Sequence, residues 1–306
     1  MTIPKIYFDN IEGKWFVTNK KGDSGAICFG DCSGSSGNSI GSLYLGDTGV
    51  FGGGYNKTDT IDYITISTPG NAQNFGKLII ERFYLAATSN GTNDRGVFGG
   101  GYLFSSGDIH ENTKLIDYIT ISTPGNAQVF GNLDLNKPRF SLAATSNGTN
   151  NRGVFGGGKY EYGTGALLGG SLLDFIEYIT ISTLGNAQRF GKLSVAKDSL
   201  TATSNGTNDR GVFGGGESKD GYLSFIEYIT ISTPGDAQNF GNLSSKKSEL
   251  AATSNGTNNR GVFGGGLSPS GRIKIIDYIT ISTPGNAQNF GNLTVARRSL
   301  AATSNA

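Results

Sequence analysis

IDYITISTPGNAQVFG, residues 116–131, decides how this chain is read. Its first half alternates. Ile116, Tyr118, Thr120 and Ser122 fall on one face of an extended strand, and Asp117, Ile119 and Ile121 on the other. Ile, Tyr and Thr suit a pleated, half-buried surface. Pro124-Gly125 then supplies the preset φ and the permissive residue of a tight turn, and Gln128–Gly131 begins a second strand. The phrase IDYITIST or IEYITIST recurs at Ile61, Ile116, Ile176, Ile226 and Ile276. Its tyrosines (Tyr63, Tyr118, Tyr178, Tyr228 and Tyr278) are spaced 55, 60, 50 and 50 residues apart, a period in the propeller range.

Working outward, a GVFGGG run precedes each copy, ending at Gly54, Gly101, Gly158, Gly216 and Gly266. Before four of these lies LAATSN or LTATSN, followed by an Asn-Gly turn. Each unit therefore reads as four short strands: a (Leu85–Asn90 in one copy), b (Gly96–Gly101), c (Ile116–Thr123) and d (Gln128–Gly131). No stretch carries helical periodicity. The expected fold is an all-β propeller, in which radial repetition leaves only short, protected edges. The chain stops just after strand a, at residues 299–306, and its first unit opens at Gly46, just before strand b. The C-terminal strand is thus expected to complete the first of five blades. A second arrangement uses Ser42–Leu45 as the first strand a. The C-terminal strand then joins KIYF, WFVT and AICF of the N-terminal segment in a sixth blade.

The unit resembles the kelch repeat: a basic residue three before the Leu of strand a, an Ala pair, a turn, an apolar strand running into Gly-Gly, and a Tyr-bearing strand c. The basic positions are Arg82, Arg139, Lys197, Lys247 and Arg297. The chain departs from kelch units in strand d, which carries Phe75, Phe130, Phe190, Phe240 and Phe290 where those units usually have Trp. The wording YITISTPGNAQNFGNLTVARRSLAATSN with RGVFGGG is similar to repeat-bearing virion structural proteins of tailed bacteriophages. The resemblance covers about residues 46–306 and implies a virion protein, made in the host cytoplasm and of tail-fibre or decoration type.

Composition narrows the classes. Gly and Pro supply 49 and 7 of 306 residues, without a collagen period. Charged residues are 16% and the net charge is +1, so neither a polybasic nucleic-acid binder nor an acidic tail is indicated. Apolar residues at 36% exceed what a disordered chain carries. Lys5, Asp9, Glu12 and Lys14 interrupt the start, so no signal peptide is expected, and no apolar run is long enough to span a membrane.

The copies differ on one face. Turns a–b and c–d barely change, whereas the b–c connections diverge completely: residues 55–60, 102–115, 159–175, 217–225 and 267–275. The d–a segments diverge too. Antiparallel blades place these two sets together, where repeat proteins put binding loops. Tyr102, Phe104, His110, Tyr160, Tyr162 and Tyr222 are the candidate ligand-binding residues, their rings suited to stacking on sugars. The ring Arg82, Arg139, Lys197, Lys247 and Arg297 is a candidate anion site, although such cations more often pair with a neighbouring carboxylate.

Chemistry beyond binding finds little support. GVFGGG lacks the Lys-Ser/Thr and following helix of a phosphate cradle. His110 is the only histidine, which argues against His catalysis and multi-His metal sites, and no cofactor or metal is expected. Glycosidases need two carboxylates in one pocket. Asp117 with Glu177, or Asp174 with Glu161, are the pairs to weigh, but Asp62, Asp117, Glu177, Glu227 and Asp277 recur in register like a structural ring. Cys28 and Cys32 have no second cluster for zinc.

Residues 1–45 do not match the repeat and read as a small β attachment segment with a Gly/Ser-rich linker to other virion proteins, leaving 46–306 as the propeller. The expectation is a non-enzymatic virion protein whose variable face binds a bacterial surface glycan or receptor, as one of many copies or as a homo-oligomer. A purely structural protein docking on other virion proteins and a polysaccharide depolymerase are the rivals.

Overall fold

The computed structural model describes residues 6–9, 14–18, 24–27, 47–55, 58–89, 94–104, 110–134, 137–148, 150–162, 169–254 and 258–303. Phe104, His110 and Tyr162 are described for their backbone only, and Cys28 and Cys32 lie outside the described residues. The chain divides into two compact units, Met1–Leu45 and Gly46–Ala306. The first contains an antiparallel sheet of Ile6–Asp9, Lys14–Thr18 and Ser24–Ile27, in that order.

The second unit is a five-bladed β-propeller, all-β among the described residues. Blade two shows the pattern: strand a is Ala86–Thr88, b is Arg95–Gly99, c is Leu115–Thr120 and d is Gln128–Asn132, each antiparallel to its neighbour. Blades three, four and five repeat that order. Strands a of adjacent blades touch one another and lie innermost. In the first blade Thr48–Gly52, Thr60–Thr65 and Gln73–Lys77 form strands b, c and d. The expected fourth strand at Leu300–Asn305 differs: residues 301–303 are exposed and unpaired, and 304–306 lie outside the described residues. The other four a strands are each tethered to their b strand by a short turn, whereas this one must be held by pairing alone.

The alternation of strand c explains the cores. On one side of blade two, Val97, Ile116, Phe130 and Leu133 meet Phe155, Ile179 and Ile181 of blade three. On its other side Phe98 and Ile119 meet Ile61, Phe75 and Leu78 of blade one. Each blade thus presents two apolar faces, and four such interfaces repeat around the axis. Burying one Phe in such an interface contributes about 2–3 kcal/mol.

The triple glycine belongs to this packing. A Cβ on Gly99 would lie 2.7 Å from the Phe155 ring of the next blade. Gly100, at φ +67°, would set its Cβ 2.6 Å from the Arg139 carbonyl. A side chain is therefore excluded first by sterics and then by backbone conformation. The outer faces of the first and last blades differ from the rest: Phe51 is 56% exposed while the equivalent Phe155, Phe213 and Phe263 are fully buried, and Phe290 is 54% exposed while the equivalent Phe75, Phe130, Phe190 and Phe240 are buried.

Candidate ligand-binding site

Four of the five b–c connections, those of blades two to five, contain hairpins, which reading them as loops had missed. Tyr102–Phe104 pairs with His110–Asn112, and Lys159–Tyr162 with Gly169–Leu172. Blades four and five carry shorter versions, Glu217–Ser218 with Gly221–Tyr222 and Leu267–Ser268 with Gly271–Arg272. The first strand of each hairpin also bridges to the preceding d–a segment, through Phe83–Tyr102, Phe140–Lys159, Asp198–Glu217 and Ser248–Leu267. Both variable segments of a repeat are thereby fixed to each other.

Five residues of the d–a segments, Tyr84, Ser141, Ser199, Glu249 and Ser299, hold left-handed backbone conformations at φ of 51–55°. None is glycine, so each carries strain of about 1–2 kcal/mol. They are linked in series: Ser141 N–H donates to the Tyr84 carbonyl, Ser199 to Ser141, Glu249 to Ser199 and Ser299 to Glu249, all at 2.9 Å. This backbone ladder circles the axis, and with the following leucines, Leu85, Leu142, Leu200, Leu250 and Leu300, it lines a cavity of about 820 Å³. The cavity opens on the variable face.

Its walls are unequal. One side is aromatic: Tyr55 to Phe83, Phe83 to Tyr84, Phe83 to Tyr102 and Tyr102 to Phe140 have ring centroids 4.8–5.3 Å apart. Phe83 and Phe140 are buried beneath, whereas Tyr84 is 54% and Tyr55 68% exposed. The other side carries Lys159, Glu161, Asp198 and Glu249. Lys159 Nζ lies 2.5 Å from Glu161, and Arg298 donates to Glu249 at 3.0 Å. Burial pushes the Asp198 carboxyl up to about 6, with Glu217 and Glu161 adding to the rise, against the opposing pull of Lys159 and a hydrogen bond from Ser199.

Of the ligand-binding residues expected from sequence, Tyr102 lines this cavity. Tyr160 and Tyr222 are half-buried and do not line it, and the side chains of Phe104, His110 and Tyr162 lie outside the described residues. Sequence reading missed Tyr55, Phe83, Tyr84, Phe140 and Asp198. The available signal was the RF pair before strand a in two repeats, Arg82-Phe83 and Arg139-Phe140, where the others have Lys-Asp, Lys-Ser and Arg-Arg.

The anion-binding ring is corrected by the structure. Arg82, Arg139, Lys197 and Lys247 are buried and ion-paired with Asp117, Glu177, Glu227 and Asp277 of the next strand c, the last at 2.8 Å. Three of these carboxylates also accept a backbone N–H of the preceding d–a segment, Asp117 from Ile79, Glu177 from Asp134 and Glu227 from Ser194. Desolvation moves Asp117 and Glu177 up and Arg82, Arg139 and Lys247 down. These four cations clamp one blade's exit to the next blade and leave no charge for a ligand. Arg297 is the exposed member of the ring. Asp117 and Glu177 lie in separate clamps, so they do not form a catalytic pair.

Among the described residues no group of three His, Cys, Asp or Glu is placed to hold a metal ion, and no helix is long and apolar enough to cross a membrane. No family model matches the sequence, and no curated protein matches it. Among solved structures the chain is similar to one described as "Structure of YjhT", with a TM-score of 0.66, 11% identity and 84% of each chain covered. The chain is a β-propeller. At that identity the likeness shows the propeller fold alone.

Proposed function

We propose that this propeller is a non-enzymatic glycan-binding module, carried on a bacteriophage virion, that receives a bacterial surface polysaccharide in the axial cavity. The observation that carries this reading is the aromatic wall of Tyr55, Tyr84 and Tyr102 beside polar side chains in one concavity. Sugar rings offer an apolar face to stack on such tyrosines and hydroxyls for the carboxylates opposite. The repeat wording, similar to phage virion proteins, supports the setting, and many copies on a particle would raise weak single-site affinity by avidity. Residues 1–45 are proposed as the attachment to neighbouring virion proteins.

The test is a panel of bacterial surface polysaccharides titrated into wild-type protein, Tyr84→Ala and Tyr102→Ala. Binding by the wild type that falls at least tenfold in both variants is expected. Binding unchanged by both substitutions would move the site off the cavity, and no binding to any polysaccharide would sink the reading. One observation favours a second reading, a depolymerase. Asp198, raised to about 6, keeps its proton up to the acid side of neutrality, where it could serve as a general acid, with Glu161 beside the same cavity. Release of reducing ends from a bound polysaccharide, abolished by Asp198→Asn, would establish that reading in place of the first.

A further inference from the structure

We propose that the cavity selects glycans bearing a free amino group, with unacetylated hexosamines as the ligand class. This rests on the glycan-binding reading above and narrows it. The polar wall and its immediate surroundings hold two cations, Lys159 and Arg298, against four carboxylates, Glu161, Asp198, Glu217 and Glu249. Lys159 is engaged by Glu161, and Arg298 by Glu249, which also accepts from the Ser299 hydroxyl. Asp198 has no ion-pair partner among the described residues, and Glu217, paired to it through the backbone, adds negative charge beside it.

The basic ring does not compensate, because Arg82, Arg139, Lys197 and Lys247 are consumed in the buried clamps and Arg297 does not line the cavity. An acidic sugar would bring a carboxylate against Asp198 and Glu161 and be repelled. An N-acetylated sugar would place an uncharged amide there and gain less than an ion. An ammonium would form a charge-assisted hydrogen bond with Asp198 while its ring stacks on the tyrosines across the cavity. The aromatic wall alone would accept any pyranose; the charge asymmetry makes the choice.

Proton balance gives a second readout. The groups facing Asp198 are Lys159, Glu161, Glu217 and Ser199. Asp198 takes up a proton as pH falls through about 6. A sugar amine, like an α-amino group, loses its proton near pH 8. Affinity for the amine should therefore peak between roughly pH 6 and 8.

The experiment is calorimetric titration of the full chain with three hexamers: deacetylated glucosamine, N-acetylglucosamine and a glucuronate-containing oligomer. Wild type and Asp198→Asn are compared at pH 5 and 7, with thermal melts confirming that the variant is folded. The expected result is at least tenfold preference for the deacetylated hexamer at pH 7. That preference should be lost in Asp198→Asn and reduced severalfold at pH 5. Equal or tighter binding of the acetylated or acidic hexamer would overturn amine selection and leave the glycan-binding reading standing. A preference that survives Asp198→Asn unchanged would also overturn it. Silence toward all three overturns amine selection, and the glycan-binding reading falls with it only if the polysaccharide panel is silent too.

Discussion

Asp198 and Arg139 show how differently a charge can behave in this molecule. Asp198 has no ion-pair partner among the described residues, and burial lifts it from 3.8 to about 6. A carboxyl raised on folding contributes stability that is full below its unfolded value and is lost as pH rises through its folded one. Stability should therefore fall between about pH 4 and 6, by on the order of 2 kcal/mol once solvent screening is discounted. Asp198→Asn should abolish that slope in urea melts taken across the interval. A slope that persists in the variant would assign it to other groups. Arg139, by contrast, is buried and ion-paired with Glu177. Arg139→Met leaves the Glu177 carboxylate buried without its ion-pair partner and should cost about 3–5 kcal/mol. The double variant Arg139→Met/Glu177→Gln should recover at least half of that loss in the same melts. If the double variant were as unstable as the single, the loss would come from packing rather than from the stranded charge.

At the level of elements, the left-handed residue before each strand a is the least expected feature. Nothing in Tyr84, Ser141, Ser199, Glu249 or Ser299 announces a positive φ, since three are Ser and the others are Tyr and Glu. The conformation is imposed by the ladder that ties each of these residues to its counterpart in the next repeat, a long-range constraint invisible in local sequence. Ser141→Gly should relieve it and raise stability by about 0.5–1 kcal/mol, the gain being trimmed by glycine's larger entropy when unfolded. A destabilised variant would mean that the Ser141 side chain contributes more than its strained backbone costs. The strands themselves were legible because their signal is local. Alternation in IDYITIST, Pro-Gly at the turn and the repeat period required no tertiary knowledge, and strand c shifts only to Leu115–Thr120. The b–c hairpins were not legible, because segments such as Glu217–Tyr222 have no alternation and pair through their bridge to the d–a segment. The candidate site fared likewise. Tyr102 was readable as an aromatic in a variable loop, but Phe83, Tyr84 and Asp198 join it only through the ring of ladders.

Across the whole propeller, four interfaces are alike and the junction between the last and first blades is not. Gly214 would set a Cβ 2.6 Å from Phe263, whereas the nearest atom to a Cβ on Gly264 is Ile276 at 3.9 Å, with Phe51 exposed instead of stacked. Yet Phe51, Ile66 and Phe290 repeat the residues that the other blades bury, and large apolar side chains at such interface positions are rarely left to water. Arg297 and Asp62 repeat the clamp residues and are the pair left unformed among the described residues. We expect these faces to be covered in solution, so that Phe51→Ala costs about 3 kcal/mol, as Phe98→Ala should. A cost below about 1 kcal/mol would mean that the faces stand open. The way they are covered is read by two further variants. If blade five closes on blade one, Gly264→Ala should be as damaging as Gly214→Ala, by about 1–3 kcal/mol, because Phe51 then occupies the space a Cβ needs. A double-mutant cycle on Arg297 and Asp62 should also couple by about 1 kcal/mol or more, since the fifth clamp would have formed. A costly Phe51→Ala with a neutral Gly264→Ala and no coupling would place another sheet, and not blade five, against the first blade.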